Sequence, residues 1–218
     1  MQIFIFLKPR VRYRLGRAIW SRVPGKEKRE GEQMLDLHNT FVTSDHHFRA
    51  WAHFGGALSE SSKEEEEQHI ALWNSVVGKD SLVLYVGDFC HWDYARGGLA
   101  DLAVVRPQLN GRIVLIKGNH DTLDDVWYRE AFEDVVDRMY IDELKLLLIH
   151  DPDAATLRPG ERKIYGHTHR GEIPLPTTRD SICVCAKWHA WKPLRLAEAF
   201  RQMDAVVAGG REDAMQHE

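Results

Sequence analysis

Cysteine is scarce in this chain of 218 residues: only Cys90, Cys183 and Cys185. Cys183 and Cys185 flank Val184 at period two, so they share one side of a strand, and Cys90 stands alone. That is neither a disulfide framework nor a zinc knuckle; it reads as small buried residues in a reducing compartment. Long apolar runs are missing too. No stretch approaches the roughly 20 apolar residues of a membrane span. The opening Met1 to Leu7 is too short, and its charges follow the apolar run, the reverse of a secretory signal. The expectation is a cytoplasmic protein with no membrane partner. Basic charge is sparse beyond residue 31. Residues 1–31 carry nine Lys/Arg against Glu27 and Glu30, a net +7, which leaves −11 for the rest of a total of −4. An acidic body is a poor general binder of nucleic acid, because the phosphate backbone rewards basic surface. It suits an acidic cleft whose charge is offset by bound cations.

The length fits one substantial domain, and an apolar fraction of 44% with seven Trp suffices for a core. Residues 1–37 read as a basic N-terminal extension, 38–208 as the domain and 209–218 as a tail. The extension admits three readings: a mobile arm, an arm that binds a partner or nucleic acid, or an over-long start with Met34 as the true beginning. Its Arg-rich, acid-poor composition also superficially suits an organelle transit peptide.

From His38 onward, strand and helix patterns alternate. Asn39 to Thr43, Ser81 to Val86, Arg112 to Ile116, Val135 to Tyr140, Leu144 to Ile149, Lys163 to Tyr165 and Ile182 to Ala186 read as strands. Ser61-Ser62 followed by Glu64 to Glu67 predicts a capped helix start running to Val77, its glutamates a solvated turn. Leu99 to Leu109, Leu123 to Phe132 and Leu194 to Val207 read as helices. Alternating strands and helices with polar residues at strand ends indicate an α/β sandwich.

Five polar islands each follow an apolar, strand-like run: Asp45-His46-His47, Gly87-Asp88, Gly118-Asn119-His120-Asp121, His150 and Gly166-His167-Thr168-His169. They supply carboxylate oxygen, amide oxygen and imidazole nitrogen, the donors that hard-to-borderline divalent metals prefer. Asp45, His47, Asp88, Asn119, His150, His167 and His169 make seven candidate ligands, enough for two ions and too many for one. Taken singly each island is also an ordinary turn or a core histidine; their conjunction in this order carries the reading. Asp88 is the choice for a bridging carboxylate. Asp121 is placed to accept a hydrogen bond from His120 and so fix its tautomer, which leaves His120 free for acid chemistry.

On these islands the chain resembles the calcineurin-like metallophosphoesterases. Asp-x-His, Gly-Asp, Gly-Asn-His-Asp, a lone His and Gly-His-x-His stand complete and in order between about residues 39 and 198. Thr43 to Phe48, Trp73-Asn74 and Trp188…Trp191-Lys192-Pro193 are similar to the small bacterial and phage-type branch. Arg49-Ala50 stands where that branch has Gly-His, and Cys183 and Cys185 stand where it often has Asn and Gly. The resemblance implies a four-layer α/β/β/α sandwich with two mixed sheets and two divalent ions. Mn is the first choice, with Fe, Zn, Ni or Co compatible. It implies that Asp45, His47 and His169 hold one ion, that Asn119, His150 and His167 hold the other, and that Asp88 bridges. The activity implied is hydrolysis of phosphodiesters or phosphomonoesters by in-line attack of a metal-activated hydroxide, with His120 as general acid and Asp121 behind it. His91 and Arg170 are candidates for contact with substrate phosphate. A small phosphoester or nucleotide is the expected substrate. The alternatives are a nuclease fed by the basic arm and a catalytically silent scaffold of the same fold; oligomeric state is open.

Overall fold

Strand residues alternate between two faces, so a strand apolar at every position must be covered on both sides. A computed structural model describes residues 2–5, 33–54, 62–90, 99–169 and 176–215, and it shows how that cover is provided. In chain order the elements open with β1 (Gln2–Ile5), β2 (Gln33–Asp36), β3 (Thr40–Thr43), α1 (Ala50–Phe54), α2 (Lys63–Val76) and β4 (Leu82–Val86). Next come α3 (Leu99–Val105), β5 (Arg112–Ile116), α4 (Asp125–Ala131), β6 (Asp134–Val136), β7 (Arg138–Ile141) and β8 (Leu146–Ile149). The chain closes with β9 (Arg162–Tyr165), β10 (Ser181–Cys183), β11 (Leu194–Arg195) and α5 (Leu196–Met215).

The fold is α/β with two mixed sheets. A five-stranded sheet runs β11-β3-β4-β5-β6, parallel except for β11, and a four-stranded sheet runs β10-β9-β8-β7, parallel except for β7. One face of the larger sheet presents Phe41, Val83, Tyr85, Ile113, Leu115 and Val135. These pack with Ile70, Trp73 and Val77 around α2, Leu102 and Val105 of α3, and Tyr128 of α4. The opposite face presents Val42, Leu84, Val86, Val114 and Ile116, which share one buried cluster with Leu146, Leu148, Ile164 and Ile182 of the smaller sheet. Leu196, Ala199 and Met203, at helical spacing on α5, complete that cluster.

The α2 start has the expected capping box: the Ser62 hydroxyl accepts from the Glu65 amide and the Glu65 carboxylate accepts from the Ser62 amide. The glutamate run is not wholly solvated, however. Glu66 is buried and accepts a hydrogen bond from the Arg49 amide, and the Arg49 guanidinium also reaches Asp101 at 3.0 Å. Trp73-Asn74 of α2 stitches the helix to the turn before β5. Trp73 Nε1 donates to Asn110 O, Asn74 Nδ2 to Gln108 O, and the Asn110 amide to Asn74 Oδ1.

The structure differs from the sequence expectations in several places. Val135 to Tyr140 is not one strand: Asp137 divides it, β6 pairing with β5 in one sheet and β7 with β8 in the other. A single apolar run cannot reveal that its two halves belong to different sheets. Helix α3 ends at Val105 and continues as a 3₁₀ turn over Arg106–Gln108, because Pro107 lacks the amide an α-helix needs. Helix α5 continues past Val207 to Met215, so 209–215 is helical. Within 1–37, β1 pairs antiparallel with β2, and Leu35 of β2 is buried in the inner cluster. The late strand stops at Cys183, with Cys185 forming an isolated parallel bridge to Ser44. No helix among the described residues is long and apolar enough to cross a membrane.

Trp73 is fully buried and carries a satisfied indole N–H. Trp73→Ala is expected to destabilise the fold by about 3–5 kcal/mol, read as a lowered urea midpoint at unchanged slope.

Candidate metal centre

In a parallel sheet the C-terminal strand ends lie at one edge, and ligands collect there. β3, β4 and β5 end at Thr43, Val86 and Ile116, one or two residues before the islands of Asp45, Asp88 and Asn119. β8 and β9, parallel to each other in the second sheet, deliver His150 and the Gly166 island. All seven candidate ligands come together. Asp45, His47 and His169 place ligand atoms within 4.8 Å of one another, and so do His47, Asp88 and His120, and Asp88, His150 and His167. Asn119 joins the last group through its amide oxygen, 3.1 Å from His150 Nε2 and 2.9 Å from His167 Nδ1. Asp88 belongs to two of the three groups, which is the position a shared carboxylate needs. These clusters could hold a metal ion.

The donor chemistry supports that reading. His150 Nδ1 lies 2.9 Å from Val86 O, which accepts only, so Nδ1 carries a proton and Nε2 faces the cluster. There it meets His167 Nδ1 at 3.3 Å, Asn119 Oδ1 and, at 3.3 Å, Asp88 Oδ2. Four electron-rich atoms converge with at most a proton or two between them. In the neighbouring group His47 Nε2 and His169 Nε2 face each other at 3.0 Å, with Asp45 Oδ1 at 3.9 Å from each. A divalent cation is the partner that satisfies such convergence. Asp45, His47, Asp88 and His150 form a buried floor, whereas Asn119 and His167 stand at an exposed rim.

Holding the ligands this way strains the backbone. Asp45, His47, Asp88 and His167 have φ of 56°, 48°, 58° and 68°, the left-handed region that costs a non-glycine residue on the order of 1–3 kcal/mol. Gly118 packs against Asp88 so closely that an added Cβ would lie 2.2 Å from Asp88 Oδ1. Gly87 combines φ of 86° with the same crowding against the His150 ring.

Asp121 has a role that the spacing alone did not reveal. Its carboxylate accepts from the Asp88 amide at 2.7 Å, the Gly118 amide at 2.8 Å and the Phe89 amide at 3.1 Å. It therefore braces the Asp88 turn against the Gly118 turn. Burial first, then the charge of Asp88, pushes Asp121 up to about 6, while the three amides oppose the rise. The His120 amide donates to Asp88 Oδ1 at 2.8 Å and its ring meets His47 edge-on, centroids 5.3 Å apart, so His120 borders the cluster. His46, between two ligands, turns inward instead. It stacks on Phe48, and burial pushes it down to about 3, so it stays neutral. Tyr85 is a second residue missed by sequence reasoning. Its hydroxyl accepts from the His46 amide at 3.0 Å and donates to Asp88 O at 3.4 Å, linking two ligand turns from below. The one sequence signal was a polar aromatic inside an otherwise aliphatic strand. His91 and Arg170 lie outside the described residues.

An uncharacterized protein of Methanocaldococcus jannaschii (MJ1445) is 28% identical over 170 residues, spanning 74% of this chain and 89% of that protein. A crystal structure of a protein of unknown function from Aquifex aeolicus (AQ665) superposes with a TM-score of 0.52 at 20% identity, over 71% of this chain and 94% of that one. At that identity the likeness concerns the fold. No family model matches the chain.

Burial alone would lower His150, but hydrogen bonding and charge from Asp88, then Asp45, hold it up at about 9. The same pairing, with His47 adding charge, outweighs burial at Asp88 and holds it well below its ordinary value. In the metal-free protein the stabilisation from raised His150 is present below its unfolded value of about 6.5 and lost as pH climbs through about 9. A cation must displace that proton. Metal affinity should therefore rise about tenfold per pH unit between roughly 7 and 9, with proton release measurable by calorimetry in buffers of differing ionisation enthalpy. Gly118→Ala should displace Asp88 and weaken metal binding about tenfold or more, read by competition with a chelating dye.

Proposed function

We propose that this chain is a metal-dependent phosphoesterase of the calcineurin-like kind, hydrolysing phosphodiester or phosphomonoester bonds. One observation carries the reading: side chains from five separate strand ends converge on Asp88, which lies 3.3 Å from His150 and 3.8 Å from His47. The four-layer α/β/β/α sandwich and a cytoplasmic setting belong to the same reading. So does a pair of divalent ions. In it Asp45, His47 and His169 would hold one and Asn119, His150 and His167 the other, with Asp88 available to both. Manganese is the first ion to assay, and the mixed oxygen and nitrogen donors also suit Fe, Zn, Ni or Co.

When bound, such ions supply a water of lowered pKa and neutralise charge on the phosphoryl oxygens. The chain's own residues supply the rest. The buried floor keeps the carboxylates aimed, and although burial opposes it, pairing with His150 and charge from His47 hold Asp88 ionised. Asn119 and His167 at the rim leave that side open to a phosphoester. His120, anchored by its amide to Asp88, is the residue this reading assigns to protonate the departing oxygen. Asp121 acts behind it by fixing the two turns that carry Asp88 and His120. A silent scaffold gives no reason for four strained backbone positions at the candidate ligands.

His120→Ala is expected to lower turnover of an unactivated phosphoester by about 100-fold or more with metal content unchanged. Full activity in that variant would show that the acid lies elsewhere. The parent test is manganese-loaded protein assayed against phosphomonoesters, phosphodiesters, cyclic nucleotides and short DNA. Bound metal without hydrolysis of any of them would remove the phosphoesterase reading.

A further inference from the structure

Cys183 and Cys185 are both buried, and their sulfurs lie 3.2 Å apart. Each touches a different ligand-bearing segment. Cys183 Sγ is 3.4 Å from the hydroxyl of Thr168, the residue between His167 and His169. Around Cys185 the chain is laddered to the residue before Asp45: the Ser44 amide donates to Val184 O at 3.1 Å and the Ala186 amide to Ser44 O at 2.9 Å. The Cys185 thiol thereby lies beside the Asp45 carboxylate. Two thiols already in contact therefore lie beneath the segments carrying Asp45, His167 and His169.

We propose that Cys183 and Cys185 form a peroxide-oxidisable pair whose disulfide loosens the ion held by Asp45, His47 and His169. The inference rests on the metal-centre reading above. The chemistry is a two-electron oxidation with hydrogen peroxide as oxidant. The sulfur of one cysteine, as thiolate, attacks a peroxide oxygen; an S–O bond forms, the O–O bond breaks, and hydroxide leaves to become water with the thiol's proton. The second sulfur then attacks the sulfenic sulfur; the S–S bond forms, the S–O bond breaks, and a second water departs. Two thiols and one peroxide become one disulfide and two waters. Burial selects the oxidant, since a small peroxide can reach sulfurs that a bulky disulfide reagent cannot. Closing the sulfurs from 3.2 Å to a bonded separation of about 2.0 Å draws them away from Thr168 and Asp45 and removes the thiol donor beside that carboxylate.

The test uses the full chain loaded with zinc, which has no redox chemistry of its own. Hydrogen peroxide should lower the intact mass by about 2 Da, with peptide mapping locating a Cys183–Cys185 bond. Bound zinc should fall by about one ion per chain, and a thiol reductant should restore both values. Cys183→Ser keeps the thiol beside Asp45 but removes its partner, and should hold its zinc through the same treatment. Wild-type protein that forms no such bond, or that forms it and keeps all its zinc, overturns the proposal. So does a Cys183→Ser variant that loses zinc to the same extent. Mapping the bond in wild type decides the modification even where the variant fails to fold. Untreated protein that binds no zinc overturns the metal-centre reading itself. Zinc bound beforehand and retained after the bond has formed overturns only this linkage.

Discussion

A buried carboxylate held between imidazoles governs this molecule. Asp88 lies at the end of β4 with His150 and His47 near one oxygen and the His120 amide on the other. Asp88 is buried there, so each electrostatic contact is stronger than in solvent and each unpaired acceptor more costly. In the metal-free protein a proton on His150 relieves the convergence, which is why His150 is held up and Asp88 held down. A divalent cation would relieve it more completely, because it would meet several acceptors at once.

The surroundings serve that one arrangement. Asp121 gathers amides from two turns, the Tyr85 hydroxyl ties the Asp45 and Asp88 turns from below, and glycines let backbone approach the ligands. The strain of left-handed Asp45, His47 and Asp88 is borne by the larger sheet, which is buried on both faces and leaves these turns little room to relax. The dithiol of Cys183 and Cys185 lies within the same support, one thiol by Asp45 and the other by Thr168.

Much of the architecture was legible because it rests on local rules. Apolar runs at 82–86 and 113–116 mark strands buried on both faces, and Ser62 with Glu65 marks a helix start. What failed were features of long-range origin. The division of 135–140 at Asp137 depends on which sheet each half meets. The burial of Glu66 depends on Arg49, a distant residue whose amide it accepts. The role of Asp121 depends on amides of Asp88 and Phe89, more than thirty positions away.

The linear order of residues thus determined the donor types, their place just past strand ends and the alternation of an α/β fold, since these follow from side-chain chemistry and periods of 2 and 3.6. Tertiary structure alone decided which donors meet. His150 and His167 are brought to Asn119 by a second sheet packed on the first, and His169 to His47 across 122 positions of chain. It also decided that His46 is core while Asp45 and His47, both with left-handed backbone, join the candidate metal cluster. Burial and convergence are properties of packing, and no spacing along the chain encodes them.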